Sequence, residues 1–143
     1  MRGERAMKLV VLDGQGGGVG KGIIEQVRRH LPDVQITAVG TNAMATAAML
    51  RAGAHAGATG ENAAVYNCGA CDAIAGAIGI AFANSMHGEI SPAVAAAVSA
   101  SRAPKLLIPM PQCSAQVLGV QDKPLASYFA DLVEALRTLA QNS

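Results

Sequence analysis

The stretch Lys8-Leu9-Val10-Val11-Leu12-Asp13-Gly14-Gln15-Gly16-Gly17-Gly18-Val19-Gly20-Lys21-Gly22-Ile23-Ile24 decides the fold. Its opening, Lys8 to Leu12, is short, largely apolar and partly β-branched, and it breaks at Asp13-Gly14. That is the pattern of a buried strand. A glycine loop follows, from Gly14 to Gly20. Ile23, Ile24, Val27 and Leu31 then return at helical spacing, which predicts a helix from about Gly18 to His30, ending before Pro32. A glycine loop between a strand and a helix is the setting a phosphate loop requires. Free N–H groups and the dipole at a helix N-terminus attract an anion, and glycine lets the backbone come close to it. The other reading is a tight turn without a ligand, with Asp13 capping the loop amides. The glycines outnumber what a turn needs, and each costs chain entropy.

The same alternation continues outward from this unit. Val34 to Val39 reads as a second strand, ending at Gly40. Thr41 or Asn42 caps a helix that carries Met44, Ala48 and Met49 and ends at Gly53. Ala54 to Ala58 reads as a third strand, Glu61 to Ala70 as a short helix, and Asp72 to Ile80 as a fourth strand. Ser91-Pro92 starts a helix that runs to about Ala100, with Ser at the cap and Pro at the first helical position. Lys105 to Pro109 is a fifth strand, and Gln116 to Val120 a short edge strand. Leu125 to Ala140 closes the chain as an amphipathic helix, with Leu125, Phe129, Leu132, Val133, Leu136 and Leu139 on one face. The expected architecture is a single-domain, three-layer Rossmann-like α/β sandwich. Its sheet is mostly parallel, of five or six strands. Residues 1–6 read as an extension ahead of it.

Composition narrows the function. A chain of 143 residues fits one domain. Hydrophobic residues at 51% against 15% charged are the reverse of a disordered composition. A net charge of +1, from 11 Lys and Arg against 10 Asp and Glu, argues against nucleic acid as a partner. Aromatics at 3% with no Trp leave few platforms for stacking bases. The start is polar and charged (Arg2, Glu4, Arg5), and the longest apolar stretch, Ala73 to Ala83, falls short of the about 20 residues a membrane helix needs. A cytoplasmic protein with no membrane contact is therefore expected. Three cysteines, an odd number, do not make a disulfide framework. Alanine- and glycine-rich packing buries little area per residue, so a homodimer is expected to help stabilise the fold.

The loop matches known patterns only in part. G-x-G-x-x-G fails, because its third glycine falls at Val19. Gly14, Gly18 and Gly20 fit G-x-x-x-G-x-G and resemble the cofactor loop of short-chain dehydrogenases. Those enzymes use a Tyr-x-x-x-Lys pair, and neither Tyr66 nor Tyr128 has a lysine four residues on. No acidic residue follows the second strand to hold a ribose; the positions are Gly40, Thr41 and Asn42. Gly17-Gly18-Val19-Gly20-Lys21 resembles the deviant P-loop of the ParA and MinD ATPases, which implies that Lys21 reaches the phosphates. Gly22 stands where Ser or Thr should hold magnesium, so hydrolysis is not expected. The cofactor class left open is a nucleotide or an NAD(P)-like dinucleotide.

In an open α/β sheet, ligands bind beyond the carboxyl ends of the strands. That edge is expected to gather Asp13, Gln15 and Lys21, then Thr41 and Asn42, then Thr59, Glu61 and Asn62, then Asn84, Ser85, His87 and Glu89, and finally Gln112 and Cys113. The backbone from Gly14 through Gln15, Gly16, Gly17, Gly18, Val19 and Gly20 to Lys21 is the expected cradle for a phosphate or carboxylate of a small-molecule ligand. Thr41, Asn42 and Asn84 are placed to hydrogen-bond a sugar or base, or else to cap helices and turns. Glu61, His87 and Glu89 are the candidate acid–base groups. Cys68-Gly69-Ala70-Cys71 with His87-Gly88-Glu89 resembles the zinc deaminase set, but the order is reversed and no proline precedes the pair. Cys68, Cys71, His87 and Cys113 are chemically able to hold zinc. Small core hydrophobes are the commoner role for such cysteines, and no metal is expected.

Four segments occurring in order resemble a family of short, functionally uncharacterised bacterial proteins. They are Asp13 to Lys21 (DGQGGGVGK), Val39 to Gly53, Gly57 to Asn62 and Asn84 to Pro92. The resemblance implies a single-domain bacterial protein with a nucleotide-binding-like fold, and it brings no catalytic residue. Three functions follow: a binding domain for a phosphorylated or nucleotide-type molecule, a small enzyme acting on that ligand through Glu61, Glu89 or His87, or a self-associating domain that needs no ligand.

Overall fold

The structure is a computed structural model that describes residues 5–110 and 114–142. Strand β1 (Lys8–Asp13) leads through the glycine loop into helix α1 (Gly18–His30). Then come β2 (Gln35–Gly40), α2 (Ala43–Arg51), β3 (Ala56–Thr59), α3 (Glu61–Cys68) and β4 (Ala73–Ala77). A short 3-10 turn at Ile78–Ala81 precedes α4 (Pro92–Ala100), β5 (Lys105–Ile108) and α5 (Leu125–Asn142). All five strands are parallel, in the order β3-β2-β1-β4-β5. The result is a Rossmann-like α/β sandwich, as expected from the alternation.

Period-two alternation along β1 builds both layers. Leu9 and Val11 point to one face, where Ile23, Ile24, Val27, Met49, Leu132 and Leu136 bring α1, α2 and α5 together. Val10 and Leu12 point to the other, against Ile80, Ile90, Val94 and Val98 beside α3 and α4. The helix starts form as the sequence predicts. Asn42 accepts from the Ala45 N–H to cap α2, and Ser91 accepts from the Val94 N–H to cap α4, with Pro92 just inside.

Two expectations fail. Gln116 to Val120 forms no strand, and the sheet has five strands among the described residues. Gly119 takes φ +85°, a turn conformation that breaks any ladder there. The fourth strand ends at Ala77, not Ile80, because the chain winds into the 3-10 turn and carries Ile80 onto the core. Residues 1–4 of the expected extension lie outside the described residues, as do Gln112 and Cys113. Among the described residues no helix is long and apolar enough to cross a membrane.

The chain winds outward from β1 through β2 to β3, then returns to lay β4 and β5 on the other side of β1. The carboxyl ends of β1 and β4 therefore flank the point where the strand order reverses. In open α/β sheets this crevice takes the ligand.

Candidate functional site

A cleft of about 730 Å³ opens at that reversal point. One wall is the glycine loop from Asp13 to Val19, and the other is the segment that follows β4, including Phe82, Asn84, Met86 and His87. Its size falls in the usual range for small-molecule sites, about 300–1,000 Å³. A second cleft of about 740 Å³ lies between the end of β5 and the start of α5, around Met110 and Tyr128. It contains no part of the glycine loop and none of the expected site residues, so the first cleft is the candidate.

The loop amides are mostly taken by the protein itself. Asp13, only 4% exposed, receives the Gly14 N–H on Oδ1 at 2.8 Å and the Gly20 N–H on Oδ2 at 2.7 Å. Burial pushes its carboxyl pKa up, and the loop amides offset only part of that rise. The Gln15 N–H donates to Glu89 Oε1 at 2.8 Å. The Gly17 N–H closes a turn onto the Gly14 carbonyl, and the Lys21 N–H enters the helix on the Gly17 carbonyl. Among the described residues no protein acceptor takes the N–H groups of Gly16 and Gly18.

The glycines divide in the same way. Gly17 needs its φ of +75°, and a Cβ there would meet the Ala45 carbonyl oxygen at 2.9 Å. A Cβ on Gly14 would press on Thr41 Oγ1, Glu89 Oε1 and Met86 Sδ at 2.7 to 3.0 Å. Gly16 and Gly18 have ordinary φ, and among the described residues nothing lies within 4 Å of where their side chains would begin. Neither the backbone conformation nor packing against the described residues explains these two glycines.

Glu89 lies across the loop. Its Oε1 accepts from Gln15 N–H, from Thr41 Oγ1 at 2.7 Å and from Asn42 Nδ2 at 3.0 Å. These bonds, led by the Gln15 amide, hold its pKa below the usual glutamate value. Such a carboxylate stays ionised at neutral pH, which suits it to holding the loop in place and not to donating a proton. Asn42 also donates to the Gln15 carbonyl, so its amide is fully used.

The expected site residues therefore separate. Gly14 to Val19, Asn84 and His87 line the cleft. Gly20, Lys21, Thr41, Asn42, Glu61 and Glu89 do not. Lys21 is exposed on α1. Glu61 accepts from Ser91 Oγ at 2.5 Å, at the starts of α3 and α4. Asn84 uses its backbone to close its own loop, donating to the Ile90 carbonyl and accepting from the Gly88 N–H. Cys68 is buried in the core at the end of α3, at the edge opposite His87, and burial pushes its pKa up to about 11. Burial raises Cys71 too. Among the described residues no cluster of three or more His, Cys, Asp or Glu is placed to hold a metal.

The sequence reading missed Phe82, Met86 and Met110 in the cleft walls. Phe82 is 40% exposed, one of only two phenylalanines in the chain. A phenylalanine just past the fourth apolar run, in a composition this poor in aromatics, is the signal the sequence offered.

The fold and cleft define a Rossmann-like domain with a small-molecule-sized crevice at the reversal of its strand order. Residues 8–141 match the family described as Domain of unknown function (DUF3842), and the chain belongs to it. No curated protein matches the chain. Among solved structures, a dodecameric FMN-dependent UbiX-like decarboxylase from Escherichia coli O157:H7 is similar at 15% identity and a TM-score of 0.47. That similarity covers 93% of this chain and 76% of the other.

Proposed function

We propose that this protein binds a small, ring-bearing molecule of nucleotide type through a single phosphate or carboxylate group. Gly16 and Gly18 carry this reading: among the described residues neither amide has an acceptor, nothing fills the space before them, and neither contact nor φ requires glycine. Glycine in that position lets a ligand approach the backbone closely. Two amides suit one oxyanion. The nearby Asp13 and Glu89 carboxylates work against a triphosphate, since like charges repel. Phe82, Met86 and Met110 offer apolar surface to a ring.

Gly18→Ala tests this. The methyl enters open space at the first helical position, so stability should hold or rise by up to about 1 kcal/mol. Calorimetry and thermal shift with NAD, NADP, ATP, GTP, S-adenosylmethionine and sugar phosphates should show a ligand that stabilises the wild type and binds the variant at least tenfold more weakly. If none stabilises the wild type, or the variant binds as well, the reading fails.

A second reading, an enzyme acting on that ligand, rests on His87, the one candidate acid–base group in the cleft wall. His87→Asn should then keep binding and lose turnover. Self-association fits the edge strand β3, Ala56-Gly57-Ala58-Thr59, which carries none of the charges or prolines that usually guard a sheet edge. Native mass spectrometry reads the subunit count. The free thiols of Cys68 and Cys71 fit a reducing, cytoplasmic setting.

A further inference from the structure

The segment after β4 is closed on itself. Asn84 N–H donates to the Ile90 carbonyl, Gly88 N–H to Asn84 and Ser85, Glu89 N–H to Met86, and Ile90 N–H to Ser85. Ser85 Oγ returns to the Gly79 carbonyl. Asn84, Met86, His87 and Gly88 all hold positive φ, between 56° and 90°. For Met86 and His87 that is a costly backbone region, kept only where the surroundings enforce it. Among the described residues, the hydrogen bonds that join residues 84–90 to the glycine loop and to the loop after β2 all end on one atom, Glu89 Oε1. That atom takes three donors, one from Gln15 and two from Thr41 and Asn42, and it sits over the bare backbone of Gly14.

We propose that Glu89 is a releasable clasp. Its carboxylate occupies an oxyanion subsite made by Gln15 N–H, Thr41 Oγ and Asn42 Nδ2, and an incoming carboxylate or phosphate displaces it and loosens the strap of residues 84–89, with Ile90 staying in the core. The subsite already binds an oxyanion, the protein's own, with the charge-assisted bonds that a ligand would make. Displacement exchanges one set of such bonds for another, so the three donors are never left empty. The strap carries His87 and lies beside Phe82 in the cleft wall, so releasing it reshapes the wall. The ligand class rests on the reading of the cleft given above; the clasp itself does not.

The test is hydrogen exchange and amide NMR on the full chain, comparing wild type with Glu89→Ala, and with Glu89→Gln should the alanine variant fail to fold. Amides of residues 84–89 should exchange at least tenfold faster in the variant, with β1 and β4 unchanged. Inorganic phosphate should shift the Gln15 amide at a concentration at least tenfold lower than in the wild type. Gly14→Ala is a second opening for the exchange readout alone, because its methyl would press on Glu89 Oε1 at 2.8 Å and also on the subsite donor Thr41 Oγ1 at 2.7 Å. Unchanged exchange of the strap in all variants overturns the clasp. So does phosphate that acts equally on wild type and variant, or that never reaches Gln15. If the nucleotide panel fails on the wild type while phosphate still reaches Gln15 in the variant, the clasp stands and the ligand class falls. If a nucleotide binds wild type and variant alike with no change in strap exchange, the clasp falls and the binding function stands.

Discussion

Two aspartates stand at opposite edges of the sheet and show different chemistry. Asp72, at the amino edge, accepts from the Lys8 N–H at 2.8 Å and from the Arg5 guanidinium at 3.0 and 3.1 Å. The Arg5 bond leads in holding its pKa below the usual value. Asp13, at the carboxyl edge, accepts two backbone amides at similar distances, yet its pKa is raised, first by burial. The number of hydrogen bonds does not decide the direction. Solvent and a counter-ion do. The amino edge pairs its carboxylate with a cation in water. The carboxyl edge holds Asp13 and Glu89 with amides, a hydroxyl and a side-chain amide. Among the described residues neither of these two carboxylates forms a salt bridge.

The largest expected effect breaks this comparison at its buried end. Asp13→Ala leaves the Gly14 and Gly20 amides without an acceptor and should cost about 3 kcal/mol by urea unfolding, the loss of two charge-assisted bonds. Asp13→Asn should cost less, since one acceptor remains and a desolvated charge is removed. Equal losses would mean that the charge plays no part.

Acid titration gives the next effect. Glu89, with its pKa depressed, contributes stability that is whole above its ordinary 4.5 and is lost as pH falls through the lower folded value. Asp72 has the same sign, from its ordinary 3.8 downward. Asp13 has the opposite sign: its burial costs stability as pH rises from 3.8 through the raised folded value. Unfolding followed from pH 6 to pH 2 should therefore fall less steeply in Glu89→Gln than in the wild type. An identical acid limb would remove Glu89 from the account.

Asp72→Asn should lose less than Asp13→Ala, and the loss should shrink further in 1 M salt, because the Arg5 pair is exposed and screened. A salt-independent loss as large as that of Asp13→Ala would erase the contrast between the edges. The smallest effect is chemical. In the folded chain at pH 8, iodoacetamide should leave Cys68 unmodified and reach it only after unfolding, as its raised pKa and burial require. Rapid native labelling of Cys68, read by peptide mass, would show that this end of α3 is open.

Much of this is legible in the chain. The apolar run Leu9 to Leu12, the Asn42 and Ser91-Pro92 caps and the glycine loop are local signals, and each forms where it is read. The end of β4 is not legible, because Gly76 to Ile80 is apolar throughout and suits a strand or a turn equally well. The role of Asp13 stays open between a cap and a site residue until its oxygens are located. Thr41, Asn42 and Glu89 look like separate loop residues, and only the structure joins them in one bond set.

The order of strands and helices, and the presence of a glycine-rich loop after β1, were set by residue periodicity and turn chemistry, which act over a few neighbours. Which amides of that loop remain open was decided only in three dimensions. The acceptor for Gln15 arrives from Glu89, 74 residues away, and sequence spacing carries no information about a hydrogen bond made across that distance.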